Sequence, residues 1–113
     1  MNCLFCKIAH GEIPAAVVFE DTEVVAFRDV NPQAPTHLLV IPKQHIATLN
    51  DIDSKHEHLL GRMILTAKKL ASTEGFDKAG YRVVFNTNSD GGQTVQHIHL
   101  HILAGRSMTW PPG

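Results

Sequence analysis

The sequence lacks several features that would place it in a specialised class of protein. It has 2 cysteines in 113 residues, which is too few for a disulfide scaffold. Its apolar runs are far shorter than the roughly 20 residues of a membrane-spanning helix. The first residues show no basic segment followed by an apolar one, so we expect no signal peptide. The formal net charge of -1 favours no nucleic-acid partner. These absences predict a cytoplasmic protein with neither a nucleic-acid nor a membrane partner.

The sequence does contain enough apolar residues for one hydrophobic core. Hydrophobic residues make up 43% of the chain, and 113 residues is the length of a single domain, predicted here as 1–113. An apolar stripe at helical spacing follows Ser54, which forms a capping-box pattern with Glu57 and predicts one long helix ending near Gly75. Residues 4–9 predict a short helical turn. Predicted strands lie at 16–20, 24–29, 37–41, 81–86 and 97–103, with a glycine-containing loop at 88–93. The pattern favours an α+β domain with an antiparallel meander.

Three of the 8 histidines alternate with apolar residues near the end of the chain. On a strand, His97, His99 and His101 would share one face, and the apolar residues between them would face the core. Packing alone explains three imidazoles on one face poorly. The pattern is compatible with a hydrogen-bonded polar face, with a metal site or with catalysis by imidazole.

The loop at residues 90–94 precedes this segment and favours an anion beside it. Backbone N–H groups near Gly91 and Gly92 can surround a phosphate, while Gln93 adds an amide and Thr94 a hydroxyl. A neutral imidazole could then attack phosphorus and form a phosphohistidine. A second, protonated histidine could stabilise the developing charge or protonate the leaving group. The sequence shows no Walker motif or carboxylate cluster for magnesium.

The residues His97-Ile98-His99-Leu100-His101-Ile102-Leu103 resemble the signature of the histidine-triad family, His-x-His-x-His followed by two apolar residues. The resemblance extends over nearly the whole chain. It includes Phe5-Cys6-Lys7-Ile8, Gly11-Glu12-Ile13-Pro14, Ala26-Phe27-Arg28-Asp29, Pro32-Gln33-Ala34-Pro35-Thr36-His37, Ile41-Pro42-Lys43 and the stretch from Gly91 to Arg106. The terminal Trp110-Pro111-Pro112-Gly113 resembles the tail of the Hint branch, which comprises purine nucleoside phosphoramidases, also called adenosine 5′-monophosphoramidases.

The resemblance implies a fold and an activity. The family fold is a five-stranded antiparallel meander sheet with one long helix and a short N-terminal helix, and Hint proteins are homodimers whose sheets join. The implied reaction is hydrolysis of the P–N bond of purine nucleoside 5′-phosphoramidates to a nucleoside monophosphate and an amine, with no cofactor for catalysis. The alternatives are a dinucleoside polyphosphate hydrolase or nucleotidyl transferase of the same family, and a nucleotide-binding regulatory protein.

The resemblance also implies roles for particular residues. His99 would be the nucleophile that carries the nucleotidyl group, His101 would help to bind phosphate, and His97 and His37 would complete the histidine network. Substrate-binding residues would be Asp29 and Val30 at the ribose, Phe5, Ile8 and Phe27 at the base, and Asn86, Gly92, Gln93 and Thr94 around ribose and phosphate. Trp110 either reaches the partner subunit's site or packs against its own domain.

The cysteines form one Cys-x-x-Cys pair, Cys3 and Cys6, which has three interpretations. They are reduced thiols of a cytosolic protein, a redox dithiol, or half of a structural zinc site. Some histidine-triad proteins with this pair bind zinc through both cysteines, the histidine after Ile-Pro-Lys-x and the first triad histidine. Here these residues would be Cys3, Cys6, His45 and His97. If His97 ligates zinc, its role would be to orient the site and not to act as an acid or base. The sequence further predicts solvated side chains for His56 and His58.

Overall fold

The computed structural model describes residues 2–113, which form a five-stranded antiparallel sheet with a helix on each face. The helices are α1 (Leu4–Ala9), α2 (Glu57–Glu74) and the single turn α3 (Asn88–Gly91); the strands are β1 (Val17–Glu20), β2 (Val24–Arg28), β3 (Thr36–Pro42), β4 (Tyr81–Phe85) and β5 (Leu100–Ala104). Two 3₁₀ turns, Leu49–Asp51 and Ser54–His56, precede α2. None of the helices within this range is long and apolar enough to cross a membrane.

The strand order is β1-β2-β3-β5-β4, so the last strand is inserted between β3 and β4. His37 on β3 and Arg82 on β4 both lie opposite Leu103 on β5. Directly opposed residues share a face of a sheet, and so do residues two apart on one strand. His37, His101 and Arg82 therefore lie on the same face, and β4 forms one edge of the sheet.

Each face of the sheet carries its own apolar cluster because alternate strand residues point in opposite directions. On one face, α2 packs Met63 and Leu70 against strand residues that include Leu38, Leu100 and Ile102.

On the other face, α1 packs Phe5 and Ala9 against four apolar strand residues: Val25, Phe27, Leu39 and Ile41. The histidines lie on the face that α1 covers, since the apolar residues between them belong to the cluster beneath α2. The predicted fold class is confirmed.

Two predicted segments differ in detail from the structure. The strand predicted at 97–103 begins at Leu100, because the Ile98 N–H donates to the Ile46 carbonyl oxygen (2.8 Å) instead of joining the ladder with β3. His97 and His99 thus precede the regular strand. The loop predicted at 88–93 contains the helical turn α3, which ends at Gly92 in the left-handed conformation (φ 81°).

The start of the long helix also differs from the prediction, whereas its end does not. The capping box is made by Asp53 and His56 around the preceding 3₁₀ turn, not by Ser54 and Glu57. His56 is consequently buried, and the prediction that it is solvated is wrong, because its Nδ1 accepts the Asp53 N–H (3.1 Å). His58 is exposed as predicted. The helix ends at Gly75, which is left-handed with φ 84°.

Candidate active site

A chain of hydrogen bonds fixes the protonation of two of the histidines. The Gln33 N–H donates to Nδ1 of His37 (3.0 Å), so the proton of that neutral imidazole lies on Nε2. Nε2 of His37 lies 2.9 Å from Nδ1 of His101 and 3.4 Å from Oδ2 of Asp29. His37 therefore donates to His101, whose own proton must lie on Nε2.

The Nε2–H of His101 has no hydrogen-bond partner among residues 2–113, although the atom is buried. Buried polar groups in proteins nearly always have a partner. The ring of His101 lines a cavity, so this donor is in a position to bind an oxygen atom of a ligand.

His99 has the opposite arrangement of donor and acceptor. Its Nδ1 lies 2.8 Å from the carbonyl oxygen of His97, which can only accept, so Nδ1 carries the proton. The Nε2 lone pair is therefore free, as a nucleophile requires. The ring centroid of His99 lies 4.9 Å from that of His101 and 5.1 Å from that of Phe5, which meets it edge-on.

Burial keeps these imidazoles neutral in the free protein. It lowers the pKa of His99 and of His37, although the His97 carbonyl and Asp29 act in the opposite direction. Burial, reinforced by His99 and His37, lowers the pKa of His101 to about 4. The protonated second histidine expected from the sequence is therefore not found at His101, which provides a neutral N–H donor at pH 7.

A cavity of about 500 Å³ adjoins His99 and His101. Six of the predicted nucleotide-binding residues line it: Phe5, Ile8, Phe27, Asp29, Val30 and Thr94. Its wall is mostly apolar, and its polar residues besides the two histidines are Arg28, Asp29 and Thr94. An apolar pocket with a few converging polar groups is the usual form of a small-molecule site.

The other predicted substrate-binding residues lie elsewhere. The Gln93 side chain forms its hydrogen bonds within the protein: its Oε1 accepts the Asn88 N–H (2.9 Å), and its Nε2 donates to the carbonyls of Ala47 (2.8 Å) and Val95 (2.9 Å).

Asn86 lines a neighbouring cleft that also contacts His101. Trp110 is 82% exposed. Gly92 ends α3, and its N–H donates to the Ser89 carbonyl.

The four predicted metal ligands come together in a second cluster, which we call the Cys2His2 cluster (Cys3, Cys6, His45 and His97). Their potential ligand atoms all lie within 4.8 Å of one another. Nδ1 of His97 is 3.4 Å from Sγ of Cys3, 3.5 Å from Sγ of Cys6 and 3.2 Å from Nδ1 of His45. Nε2 of His97 donates to the Pro42 carbonyl (2.8 Å), so its Nδ1 lone pair faces the other three residues.

Helix α1 connects the Cys2His2 cluster with the cavity. Cys3 caps this helix, and its Sγ accepts the Cys6 N–H (3.4 Å). Phe5 lies between the two cysteines in sequence and packs edge-on against both His97 (6.0 Å between centroids) and His99 (5.1 Å). Burial and the Cys3 side chain raise the pKa of Cys6. The position of Phe5 in the cavity thus depends on how α1 is held.

Two functional groups in the site were not predicted from the sequence. They are the Gln33 N–H, which sets the tautomer of His37, and the Pro42 carbonyl, which sets that of His97. Both are backbone groups, so residue type carries no signal for them. Long-range packing alone brings them to the imidazoles.

The comparisons with known proteins show the family of this chain. The sequence profile of the HIT domain matches residues 10–108. The alternating histidines, the cavity and the fold therefore belong to a histidine-triad protein, and the chain is a member of the HIT domain family.

Several relatives are similar over almost the whole chain. The crystal structure of a HIT family hydrolase from Legionella pneumophila is 66% identical, with a TM-score of 0.98, and the match covers 99% of this chain and 100% of that one. A HIT-like protein of Synechococcus elongatus is 56% identical over 99% of this chain and 97% of its own. The purine nucleoside phosphoramidase of Escherichia coli strain K12 is 52% identical over 93% of this chain and 88% of its own.

Proposed function

We propose that this protein hydrolyses the P–N bond of purine nucleoside 5′-phosphoramidates through a covalent nucleotidyl intermediate on His99. The observation that carries the proposal is the pairing of a free His99 Nε2 lone pair with the unpartnered His101 Nε2–H beside one cavity. The similarity to the Escherichia coli purine nucleoside phosphoramidase supports the same reaction.

The first step would transfer the nucleotidyl group to the protein. Nε2 of His99 attacks phosphorus, the P–N bond breaks, and the departing nitrogen takes up a proton from solvent to leave as the amine. The His101 N–H donates to a phosphoryl oxygen as charge develops there. Asp29, 3.4 Å from His37, stabilises the positive charge that this donation induces along the chain from His101 to His37.

The second step would release the nucleotide. Water attacks phosphorus and releases a proton to solvent, the bond to Nε2 of His99 breaks, and a nucleoside monophosphate leaves while the imidazole returns to its neutral form. The hydrogen bond from His99 Nδ1 to the His97 carbonyl holds the ring in one orientation through both steps. The purine would lie among Phe5, Ile8 and Phe27, with the ribose near Asp29.

The first experiment is steady-state hydrolysis of an adenosine 5′-phosphoramidate by the wild type and by His99→Ala. We expect the substitution to lower kcat by about 10³-fold or more, because it removes the nucleophile. Acid-quenched wild type should carry an adenylyl group on His99 in peptide mass spectra. His58→Ala is the control, since His58 is exposed and outside the site. Equal rates in wild type and His99→Ala would contradict the proposal, as would cleavage of dinucleoside polyphosphates with no cleavage of the phosphoramidate.

We further propose that the Cys2His2 cluster holds a structural zinc ion. Tetrahedral zinc with ordinary bond lengths separates N and S ligands by about 3.6 Å and two N ligands by about 3.4 Å. The corresponding distances in the cluster are 3.4–3.5 Å and 3.2 Å. With four protein ligands no open position remains, so the bound ion would supply structural support, and its ligands would tie α1 to the segment before β5.

Metal analysis tests the zinc proposal directly. Protein purified without added metal should contain about one zinc per chain, and Cys6→Ser should contain far less. Ser89→Ala, outside the cluster, is the control. Wild-type protein without zinc, still folded and with both thiols free, would exclude a zinc site.

We also propose that the protein is a cytoplasmic homodimer joined through the edge strand β4. Tyr81 and Val83 on this edge are 38% and 42% exposed, and Trp110 extends into solvent, from where it would reach a partner. Light scattering after gel filtration should give twice the chain mass for the wild type and a lower mass for Val83→Arg. Val17→Arg is the matched control, because Val17 is 47% exposed on the opposite edge strand. A monomeric wild type would contradict this proposal.

A further inference from the structure

A second cleft, of about 510 Å³, adjoins His101 on the side of β4 and the C-terminal segment. His37 and His101 line it, as do Gln33, Arg82 and Arg106. The strand register explains the position of Arg82, which lies on the same face of the sheet as His101. The cleft and the nucleotide cavity thus meet at the ring of His101.

This cleft contains two arginines that differ from the other arginines of the molecule in having no carboxylate partner among the described residues. Of the four arginines, Arg28 pairs with Glu74, and Arg62 pairs with Asp21. Arg82 and Arg106 have no carboxylate partner in the structure of residues 2–113. Arg82 donates to the Thr109 carbonyl (2.9 Å), and Arg106 donates to the carbonyls of Gln33 and Ser107.

Neutral carbonyls leave both guanidinium charges uncompensated. The residues that line the cleft include no aspartate or glutamate, whereas the nucleotide cavity contains Asp29. Guanidinium groups have N–H donors arranged to bind carboxylate or phosphate oxygens. Their hydrogen bonds to backbone carbonyls hold Arg82 and Arg106 at the cleft without neutralising them. The cleft is therefore suited to an anionic group.

The reaction places the leaving group away from the nucleophile. In an in-line displacement, the attacking His99 nitrogen and the departing nitrogen lie on opposite sides of phosphorus. The nucleoside would fill the apolar cavity on the His99 side, and His101 would contact the phosphoryl oxygens between the two spaces. The cleft that shares His101 is then the space into which the leaving group extends.

From these observations we infer that Arg82 and Arg106 form a leaving-group subsite that selects substrates whose leaving group carries an anion. This inference rests on the proposed function and names its substrate class: phosphoramidates of amines that bear a carboxylate, such as amino acids linked through nitrogen. In the reaction the P–N bond breaks, the nitrogen takes up a proton, and the amine departs with its carboxylate unchanged. A phosphate of a leaving nucleotide has the same charge and is the other source of such an anion.

The test compares two substrates that differ only in this charge. Adenosine 5′-phosphoramidates of β-alanine and of β-alanine amide have the same reacting bond. We expect the wild type to prefer the carboxylate by about tenfold in kcat/KM, the effect of one charge-assisted hydrogen bond. Arg82→Gln should reduce this ratio to near one while the neutral substrate is hydrolysed as before. Arg106→Lys, which retains the charge, should keep part of the preference.

Controls separate this inference from the proposed function. Lys68→Gln removes one positive charge from the exposed side of α2 and should leave the ratio unchanged. A diadenosine polyphosphate as third substrate identifies the anion. If Arg82→Gln lowers kcat/KM for this substrate alone, the subsite binds phosphate. Hydrolysis of both β-alanine substrates and of the polyphosphate with no effect of Arg82→Gln would overturn the inference alone. No hydrolysis of any substrate would overturn the proposed function as well.

Discussion

The molecule contains two histidine clusters that differ in how their side chains are arranged. His97 of one cluster and His99 of the other are separated by a single residue along the chain. In the cluster of His37, His99 and His101, both ring nitrogens of His37 bond within the protein, whereas His101 and His99 each have one bonded nitrogen. The other nitrogen is a free donor on His101 and carries a free lone pair on His99. In the Cys2His2 cluster, nitrogen and sulfur atoms converge on one point. The partner of one ring nitrogen therefore fixes whether the other nitrogen presents an N–H or a lone pair.

His97 belongs to both arrangements and joins them. Its ring lies in the Cys2His2 cluster, while its backbone carbonyl accepts the Nδ1–H of His99 (2.8 Å). Phe5 makes a second link, because it lies between the two cysteines and packs against both His97 and His99. The two clusters are thus chemically distinct and mechanically connected. The predictions below separate these two properties.

The largest difference between the clusters should appear in kcat. We expect His101→Ala to lower kcat for an adenosine 5′-phosphoramidate by about 10²- to 10³-fold, as loss of a donor to a developing anion does. His45→Ala, in the other cluster, should leave kcat much closer to the wild-type value. Single-turnover rates with saturating substrate measure both. Similar losses in the two variants would mean that the clusters do not have separate roles.

Loss of the Cys2His2 cluster should reduce stability more than chemistry. On the zinc proposal, Cys6→Ser should lower the free energy of unfolding by several kcal/mol, since a structural zinc ion contributes directly to folding. KM should rise more than kcat falls, because Phe5 and α1 would move while His99 keeps its bond to the His97 carbonyl. Denaturant unfolding and steady-state kinetics provide the two measurements. A fall in kcat with unchanged KM and stability would argue for a chemical role of the cluster.

The connection through Phe5 has its own test. Phe5 is 5% exposed, and Phe5→Ala should destabilise the protein by about 3 kcal/mol through the lost packing. Binding of AMP, measured by calorimetry, should weaken as well, because the same ring lines the cavity beside His99 in which the nucleotide is proposed to bind. Phe76→Ala is the matched control: Phe76 is buried beneath α2, away from the site, so its loss should affect stability without AMP binding. Equal weakening of AMP binding in both variants would show a general loss of packing.

The neutral state of the cluster of His37, His99 and His101 makes stability depend on pH. Burial lowers the pKa of His37 and brings that of His101 to about 4, below the value of roughly 6.5 in an unfolded chain. Between these values the unfolded chain binds more protons, so the free energy of unfolding should fall as pH decreases from about 6.5 toward 4. Urea unfolding at several pH values measures this slope. His101→Gln should make it shallower, and an unchanged slope would contradict the assignment.

The smallest effect is expected for a histidine outside both clusters. His58 is exposed, and its Nε2 lies 3.0 Å from a carboxylate oxygen of Glu23. His58→Ala should change the free energy of unfolding by less than about 0.5 kcal/mol, since exposed ion pairs contribute little. It should also leave the rate measured with an adenosine 5′-phosphoramidate unchanged. A larger effect on activity would extend the site beyond the two clusters.

Much of the fold was predictable because its signals are local. The five strands, the long helix and its end at Gly75 follow from periodicity and a glycine in the left-handed conformation. The start of the helix was not predictable, because Asp53 and His56 form the capping box in place of Ser54 and Glu57. The residue types at these positions are compatible with either capping box, and which of the two forms depends on how the preceding 3₁₀ turn packs. The break before β5 likewise depends on a long-range bond between Ile98 and Ile46.

The sequence by itself determined which chemistry this protein carries: alternating histidines over an apolar core, a Cys-x-x-Cys pair and the residues of a small apolar cavity. The alternation of the histidines and the cysteine pair are properties of local spacing, whereas the cavity residues were implied by the family resemblance. Only the tertiary structure decided how each group is used. Cys3 meets His97 across 94 residues, Gln33 and Pro42 set tautomers with backbone groups, and Arg82 reaches the cleft at His101 through the register of β4. Hydrogen-bond partners and uncompensated charges arise between distant segments, so no local pattern specifies them.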